Sequence, residues 1–463
     1  MNRHLRTLLI SLLLGALVLP AAAATKLPAA EKLTLKNGIA VYYLKNAELP
    51  LVSFLMWIPG AGLGNEPAAL EGAANLTADL LMKGTATMDA DAVAEAVDFM
   101  GARLDFSAGD EFAGLTARSL AEHFPRLMSL AADCLMHPAF KEDEFQKERK
   151  TRLDGLKAVK DNPGSAVRSY FTKAYFGAHP LGHLSNGTEA SLQSMTLADI
   201  QGYYAKFYRP EKSIAAVVGS MEKPALLDLL NSTIGQWKAE GAAAPATAIP
   251  PLAGPKGKKL ILIDKPDATQ AYWILGAPGY KLGDPITPTA SVMNTLFGGR
   301  FTSWLSTELR IKRGLTYGAG SSFQTWRTGG LFMANSYTKN DKIGEMLDIV
   351  FDLLKKARGG FAPEEIESAR NYLLGQFPPT LETSAAKANA YVRLAFYGLG
   401  FDYYDKYLAG IQSVTGESAK AAAGKLLPAD DFILVVVGKS AEIKAQLAKY
   451  GTWVERKITD PGF

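Results

Sequence analysis

Apolar and polar positions fall into the same order twice along the chain. Near residue 207 stands FYRPEKSIAAVVGSMEKPALLDLLNSTIGQW, and near residue 426 stands LLPADDFILVVVGKSAEIKAQLAKYG. Each reads as a turn, a buried β-run ending in V-V-G, a short loop and an amphipathic helix. The preceding segments, MTLADIQGYYAKF and VTGESAKAAAGKLL, each open on a threonine N-cap signal. An acid three positions on is the expected partner of that threonine. The repetition predicts one unit used twice.

Within the first half, EKLTLKNGIAVYYLKN reads as a hairpin with Asn37-Gly38 at the turn, and LVSFLMWI as a third strand. Residues 67–83 and 90–101 carry a helical pattern, ARLDFSAGDEFAGLTARSL reads as two strands around Gly109, and long amphipathic helices run through 142–160 and 163–177. The second half repeats the scheme, with strands near 258–264, 270–277, 316–325 and 329–337. Strands, then a run of helices, then a strand again predict an α+β fold of two similar lobes, each a mainly antiparallel sheet packed with helices. Between them lies KAEGAAAPATAIPPLAGPKGKK, whose Ala, Pro and Gly content suits an extended connection. The expected organisation is a first domain over 25–237, a linker over 238–257 and a second domain over 258–463.

The segment before residue 25 is of another kind. MNRHLR is basic, LLISLLLGALVLP is apolar, and small residues follow. This is the pattern of a secretory signal peptide over residues 1–24, cut near Ala23 or Ala24, and it predicts a periplasmic or secreted protein. The apolar run is short for a membrane span. The whole chain has 50 Lys+Arg against 46 Asp+Glu. Losing Arg3 and Arg6 with the signal leaves 48 against 46, a balance of +2, which gives no electrostatic case for nucleic acid. Cys134 is the single cysteine, so no internal disulfide forms; on an apolar helical run it reads as a small buried hydrophobe.

Familiar chemical motifs are missing. There is no G-x-S-x-G elbow and no phosphate loop followed by Lys-Ser/Thr. His179 and His183 have an i,i+4 spacing, but Pro180 and Gly182 between them make the segment a loop and not a ligand-bearing helix face.

Residues 71–85 read EGAANLTADLLMKGT. This resembles the segment of the pitrilysin/insulinase family of zinc peptidases in which an inverted H-x-x-E-H motif precedes a closing K-G-T. In that family two histidines one helical turn apart hold zinc and the glutamate takes the proton of the metal-bound water. Here the corresponding positions are Asn75, Ala78 and Asp79. FKEDEFQKERKTRLDGL is similar to the helix carrying the third zinc ligand, a glutamate, and that position falls on Gly155, 76 residues after Asp79 as in the family. The stretches GAHPLGHLSNGTEASLQSMTLADIQGYYAKFYRPEKSIAAVVG and RLAFYGLGFDYYDKYLAGIQSVTGES extend the resemblance over nearly all of residues 30–455. A catalytic zinc site wants about three protein ligands and a water. With all four positions changed, the expectation is no metal in this chain and no catalytic residues of its own.

A second family segment is retained. FGGRFTSWLSTELRIKRGLTYGAGSSF is similar to the family's helix ending in R-x-K-R-G-x-x-Y. There an arginine and a tyrosine seven residues later hold the substrate backbone and the developing oxyanion beside the zinc of the other domain. The resemblance places these substrate-binding roles on Arg310 and Tyr317. An Arg fork and a directed Tyr hydroxyl suit a carbonyl becoming an oxyanion. Gly298-Gly299 before this helix permit a close backbone approach or a tight turn.

The resemblance thus implies a non-catalytic, substrate-binding subunit of a periplasmic heteromeric zinc metallopeptidase acting on unfolded peptides. The zinc would sit in a partner subunit of the same family, and the two chains would each form half of a clam-like chamber. The alternatives are a structural, core-type subunit of the same fold and, against the four lost positions, a self-sufficient peptidase.

Overall fold

The computed structural model describes residues 26–239, 241, 249–460 and 462. The expected signal peptide and part of the expected linker lie outside the described residues. Twelve strands are described: β1 (Glu31–Thr34), β2 (Ala40–Lys45), β3 (Leu51–Pro59), β4 (Arg103–Ala108), β5 (Phe112–Leu120) and β6 (Ile214–Gly219), then β7 (Lys258–Asp264), β8 (Gln270–Pro278), β9 (Ala319–Trp326), β10 (Gly329–Lys339), β11 (Phe432–Gly438) and β12 (Trp453–Lys457).

They form two six-stranded sheets, in the orders β1-β2-β6-β3-β5-β4 and β12-β7-β11-β8-β10-β9. From the second position onward the orders are equivalent, so the duplication read from V-V-G is a duplication of topology. In each sheet the V-V-G strand lies between an antiparallel partner (β3 or β8) and a parallel one (β2 or β7). The remaining pairs are antiparallel except β12–β7. The outermost strands differ in origin: β1 precedes its sheet in sequence, whereas β12 follows its own.

Local signals act as read. The β1–β2 hairpin turns at Asn37-Gly38, where Gly38 takes φ +88°, a conformation that side chains resist. Thr196 caps its helix in a reciprocal box with Asp199. At Thr415 the partner three positions on is Ser418, not an acid, and its hydroxyl closes the same box. The helix expected over 67–83 is shorter. Gly72, at φ +96°, breaks it, leaving a 3-10 turn at Ala68–Leu70 and a helix α1 at Ala73–Leu80.

Three further helices organise the molecule: α2 (Glu142–Asp161), α3 (Pro163–Phe176) and α4 (Ser384–Tyr397). One face of each sheet packs on helices of its own lobe, giving two separate cores. The other faces are covered by exchange. Helix α3 of the first lobe lies on β8 and β11, with Val167, Tyr170 and Phe171 against Ile274, Leu331 and Val435. Helix α4 of the second lobe lies on β3 and β6, with Tyr391 and Leu394 against Trp57, Ala216 and Val218. Each sheet would expose an apolar face without the other lobe's helix, so the lobes are bound by burial of large side chains. Among the described residues, no helix is long and apolar enough to cross a membrane.

Candidate functional site

Helix α1 is seated by two glycines. A Cβ on Gly72 would lie 2.7 Å from the Gly187 backbone, and one on Gly187 would lie 2.6 Å from the Glu71 carbonyl. Both have positive φ, so only glycine allows the 184–187 loop to meet the start of α1 this closely. Buried carboxylates complete the seat. Glu66 accepts from Gly72 N at 3.1 Å and Ala74 N at 2.6 Å, which satisfies amide groups at the helix start. Its Oε2 is also 3.3 Å from His183 Nδ1, whose N–H is shared with the Leu63 carbonyl at 3.2 Å. Burial pushes the Glu66 carboxyl up. Burial would lower His183, but the hydrogen bond and charge of Glu66 reverse the sign and raise it. Glu71 accepts from Lys173 Nζ of α3 at 2.5 Å and from Leu184 N at 2.6 Å. His179 uses Nδ1 to accept from Leu181 N, so both loop histidines have structural partners.

The positions that the resemblance assigns to metal ligands lie on this base and carry other contacts. Asn75 Oδ1 accepts from Ala108 N, at the end of edge strand β4, at 3.3 Å. Ala78 is fully buried in the first-lobe core. Asp79 Oδ2 accepts from Arg152 Nη2 of α2, and Arg152 Nη1 donates to the Ser185 carbonyl at 3.2 Å. The Arg152 side chain is 7% exposed and that of Asp79 44%. Beside them Lys83 Nζ meets Glu148 Oε1 at 2.8 Å. Burial raises the Asp79 carboxyl, and Arg152 opposes that rise. Gly155 lies one turn beyond Arg152, and a Cβ there would meet nothing within 4 Å. The backbone there is open to a side chain's first carbon, and the position carries no carboxylate.

These residues do not fit a zinc ion. The donor set holds no imidazole and one carboxylate, and that carboxylate is bound by a guanidinium. Two carboxylates and two cations already balance in charge, so a dication would enter a neutral cluster with an arginine fixed against its one available oxygen ligand. Among the described residues, no group of three or more His, Cys, Asp or Glu could hold a metal.

Arg310 and Tyr317 occupy a contrasting environment. Arg310 lies in a π-helical segment, Thr307–Lys312, that packs on the second-lobe helix Ile343–Gly359. Its guanidinium stands 4.8 Å from the centroid of Phe301, a ring that is 59% exposed. Tyr317, just before β9, is 81% exposed. Neither side chain has a hydrogen bond or ion pair among the described residues. Gly298 makes the close approach its sequence suggested: a Cβ there would lie 2.6 Å from Ser321 N of β9. Asn294 fixes the same junction, donating to the Ser321 carbonyl at 3.0 Å and accepting from its hydroxyl at 2.6 Å.

Sequence reasoning missed Arg152 and the Glu66–His183 pair. For Arg152 a signal existed. Phe145, Arg152 and Leu156 are the buried residues of α2, and their spacing of seven and four is that of one helix face. A charge on an apolar stripe needs a partner. For Glu66 and His183 there was none, because the two are distant in sequence and meet only in the folded chain.

Two family models match in succession: "Insulinase (Peptidase family M16)" over residues 41–189 and "Peptidase M16 inactive domain" over residues 194–373. A Bacillus subtilis protein named "Uncharacterized zinc protease YmxG" is 24% identical over 414 residues, covering 89% of this chain and 99% of its own length. A Helicobacter pylori protein named "Non-peptidase homolog YmxG" is 24% identical, covering 81% of this chain and 86% of its own. The crystal structure of a peptidase M16 inactive domain from Pseudomonas fluorescens superposes with TM-score 0.81 at 27% identity, over 89% of this chain and 98% of that one. A protease structure from Helicobacter pylori gives TM-score 0.80 at 20% identity, a likeness of fold.

Proposed function

The chain belongs to the M16 (insulinase) family of peptidases, and we propose that within it this protein is a non-catalytic, substrate-binding subunit of a heteromeric zinc metallopeptidase. One observation carries the reading. The Arg152–Asp79 pair holds the position of a metal ligand, while Arg310 and Tyr317 stand unpartnered on the other lobe. A chain with that division of parts has oxyanion and backbone donors but nothing to activate water. The zinc and its general base then belong to a partner subunit of the same family. The names of its relatives agree with both halves of this picture, one being called a zinc protease and another a non-peptidase homolog.

In the complex, Arg310 would offer paired N–H donors to a substrate carbonyl, and Tyr317 one O–H to the oxygen that gains charge as water adds. Neither has to give up a protein partner to do so. The substrate is an unfolded peptide, and the amino-terminal signal pattern supports a location in the periplasm or outside the cell.

Purification of the chain from its native source tests this. The expected result is co-purification with an M16 chain bearing H-x-x-E-H, with about one zinc per pair. The lone chain is expected to be free of stoichiometric zinc and inert toward unstructured peptides. Chelator-sensitive hydrolysis by the lone chain would overturn the proposal.

A further inference from the structure

A cavity of about 680 Å³ opens where α3 crosses from the first lobe to the second sheet. That is within the range of pockets that enclose small organic groups. Its walls come from both lobes: Phe171 of α3 on one side, and Trp326, Leu331 and Met333 of β9 and β10 on the other. Leu156 of α2 and Ser185 also line it, so it borders the Arg152–Asp79 pair, whose arginine donates to the Ser185 carbonyl. Polar residues share the lining, among them Asn186, Gln324 and His183, whose Nδ1 is taken by Leu63 and Glu66, and two charged residues stand out. Arg168 is exposed, and its guanidinium has no hydrogen-bond or ion-pair partner among the described residues. Asp110 accepts from Trp326 Nε1 at 2.6 Å through one oxygen, and burial pushes its carboxyl up. Its other oxygen keeps acceptor capacity for an N–H.

Apolar side chains on both walls, one free guanidinium and one partly used acceptor suit a ligand with three features. It has a large apolar group for the walls, a carboxylate for Arg168 and an N–H donor for Asp110. The carboxy-terminal residue of a peptide has all three. A fatty or aryl acid has the first two only. We propose that this interlobe cavity is a binding site for the carboxy-terminal residue of peptides ending in a large apolar side chain. Occupation needs no partner subunit and no hydrolysis, so the site stands or falls apart from the function proposed above.

Calorimetric titration of the full chain provides the test. The probes are a hexapeptide ending in Leu-Phe with a free carboxylate, the same peptide as its C-terminal amide, and dodecanoate. The free acid peptide is expected to bind saturably. The amide should bind about ten- to a hundred-fold more weakly, the worth of a charge-assisted hydrogen bond. Arg168→Gln, at an exposed position with no bonds to lose, should lower the acid to the amide's affinity and leave the amide unchanged. Ser169→Trp, on the half-exposed cavity wall, should abolish binding of both, with circular dichroism unchanged. Equal binding of acid and amide, indifference to Arg168→Gln, or no saturable binding would overturn the proposal. Dodecanoate binding as tightly as the peptide would overturn the peptide assignment.

Discussion

The resemblance assigns site positions to both Asp79 and Arg310, and their surroundings differ in kind. Asp79 is tied to Arg152, whose side chain is 7% exposed and whose guanidinium also donates to a backbone carbonyl. The helix bearing Asp79 is seated by the buried pair Glu66–His183 and by Glu71 on Lys173. Arg310 rests on an exposed ring and is tied to nothing else, with Tyr317 81% exposed beyond it. The first-lobe position has become structure, every charge answered within the chain. The second-lobe pair has donors to spare. A buried polar group must find its partners inside the protein, whereas an exposed, unpaired donor is open to a ligand.

The comparison breaks first at Arg310. In the complex with a zinc-bearing partner, Arg310→Ala should lower hydrolysis by roughly ten- to a thousand-fold with assembly intact. Arg310→Lys should recover only part, because an ammonium lacks the planar fork. Asp79→Ala should leave turnover within about two- to three-fold, since a structural residue away from the reacting atoms enters no transition-state contact. A large fall in the second variant and none in the first would reverse the roles assigned to the two lobes.

Stability should show the opposite order. Asp79→Ala strands a buried guanidinium, at a cost of about 1–3 kcal/mol, below that of a fully buried pair because Asp79 is 44% exposed. Arg310→Ala should cost less than about 0.5 kcal/mol. Urea unfolding of the two variants measures both.

The metal position can be sharpened by rebuilding it. Asn75→His, Ala78→Glu, Asp79→His and Gly155→Glu together restore the family's donors. With Arg152 retained, zinc should bind about tenfold or more weakly than with Arg152→Leu added, because a fixed cation opposes the dication. Equal affinities by competition titration would show that Arg152 has no part in closing the site.

The smallest expected effect is on pH dependence. His183 is raised in the folded state. Its stabilisation is therefore complete below the unfolded value of about 6.5 and is lost as pH rises through the folded value. Glu66, raised by burial, acts in the same sense. The melting midpoint should fall modestly from pH 6 toward pH 8, and His183→Gln should flatten that slope. An unchanged slope in the variant would assign it to other groups.

The sheets were readable because their signals are local. V-V-G ends β6 and β11, Gly38 sits in its turn with positive φ, and Thr196 finds Asp199 three residues on. The shortening of α1 was missed because Gly72 gives no sign, in sequence alone, that Gly187 will lie against it. Exchange of α3 and α4 was also hidden. Periodicity shows that a face is apolar but not which lobe covers it. In the candidate site, Arg310 and Tyr317 are seven residues apart in one segment, so a linear motif contains them. Arg152 and Asp79 are 73 residues apart, and their pairing depends on how α1 and α2 pack.

Tyr317→Phe bears most directly on the division of labour between the lobes, because it removes one exposed hydroxyl and keeps the ring. Steady-state kinetics of the complex carrying this variant, with the partner bound and zinc content unchanged, should show kcat lowered roughly ten- to a thousand-fold and KM nearly unaltered, as for a donor aimed at the transition state. Turnover equal to that of the unaltered complex would contradict it, and would leave this chain as a structural subunit with the family fold and no share in hydrolysis.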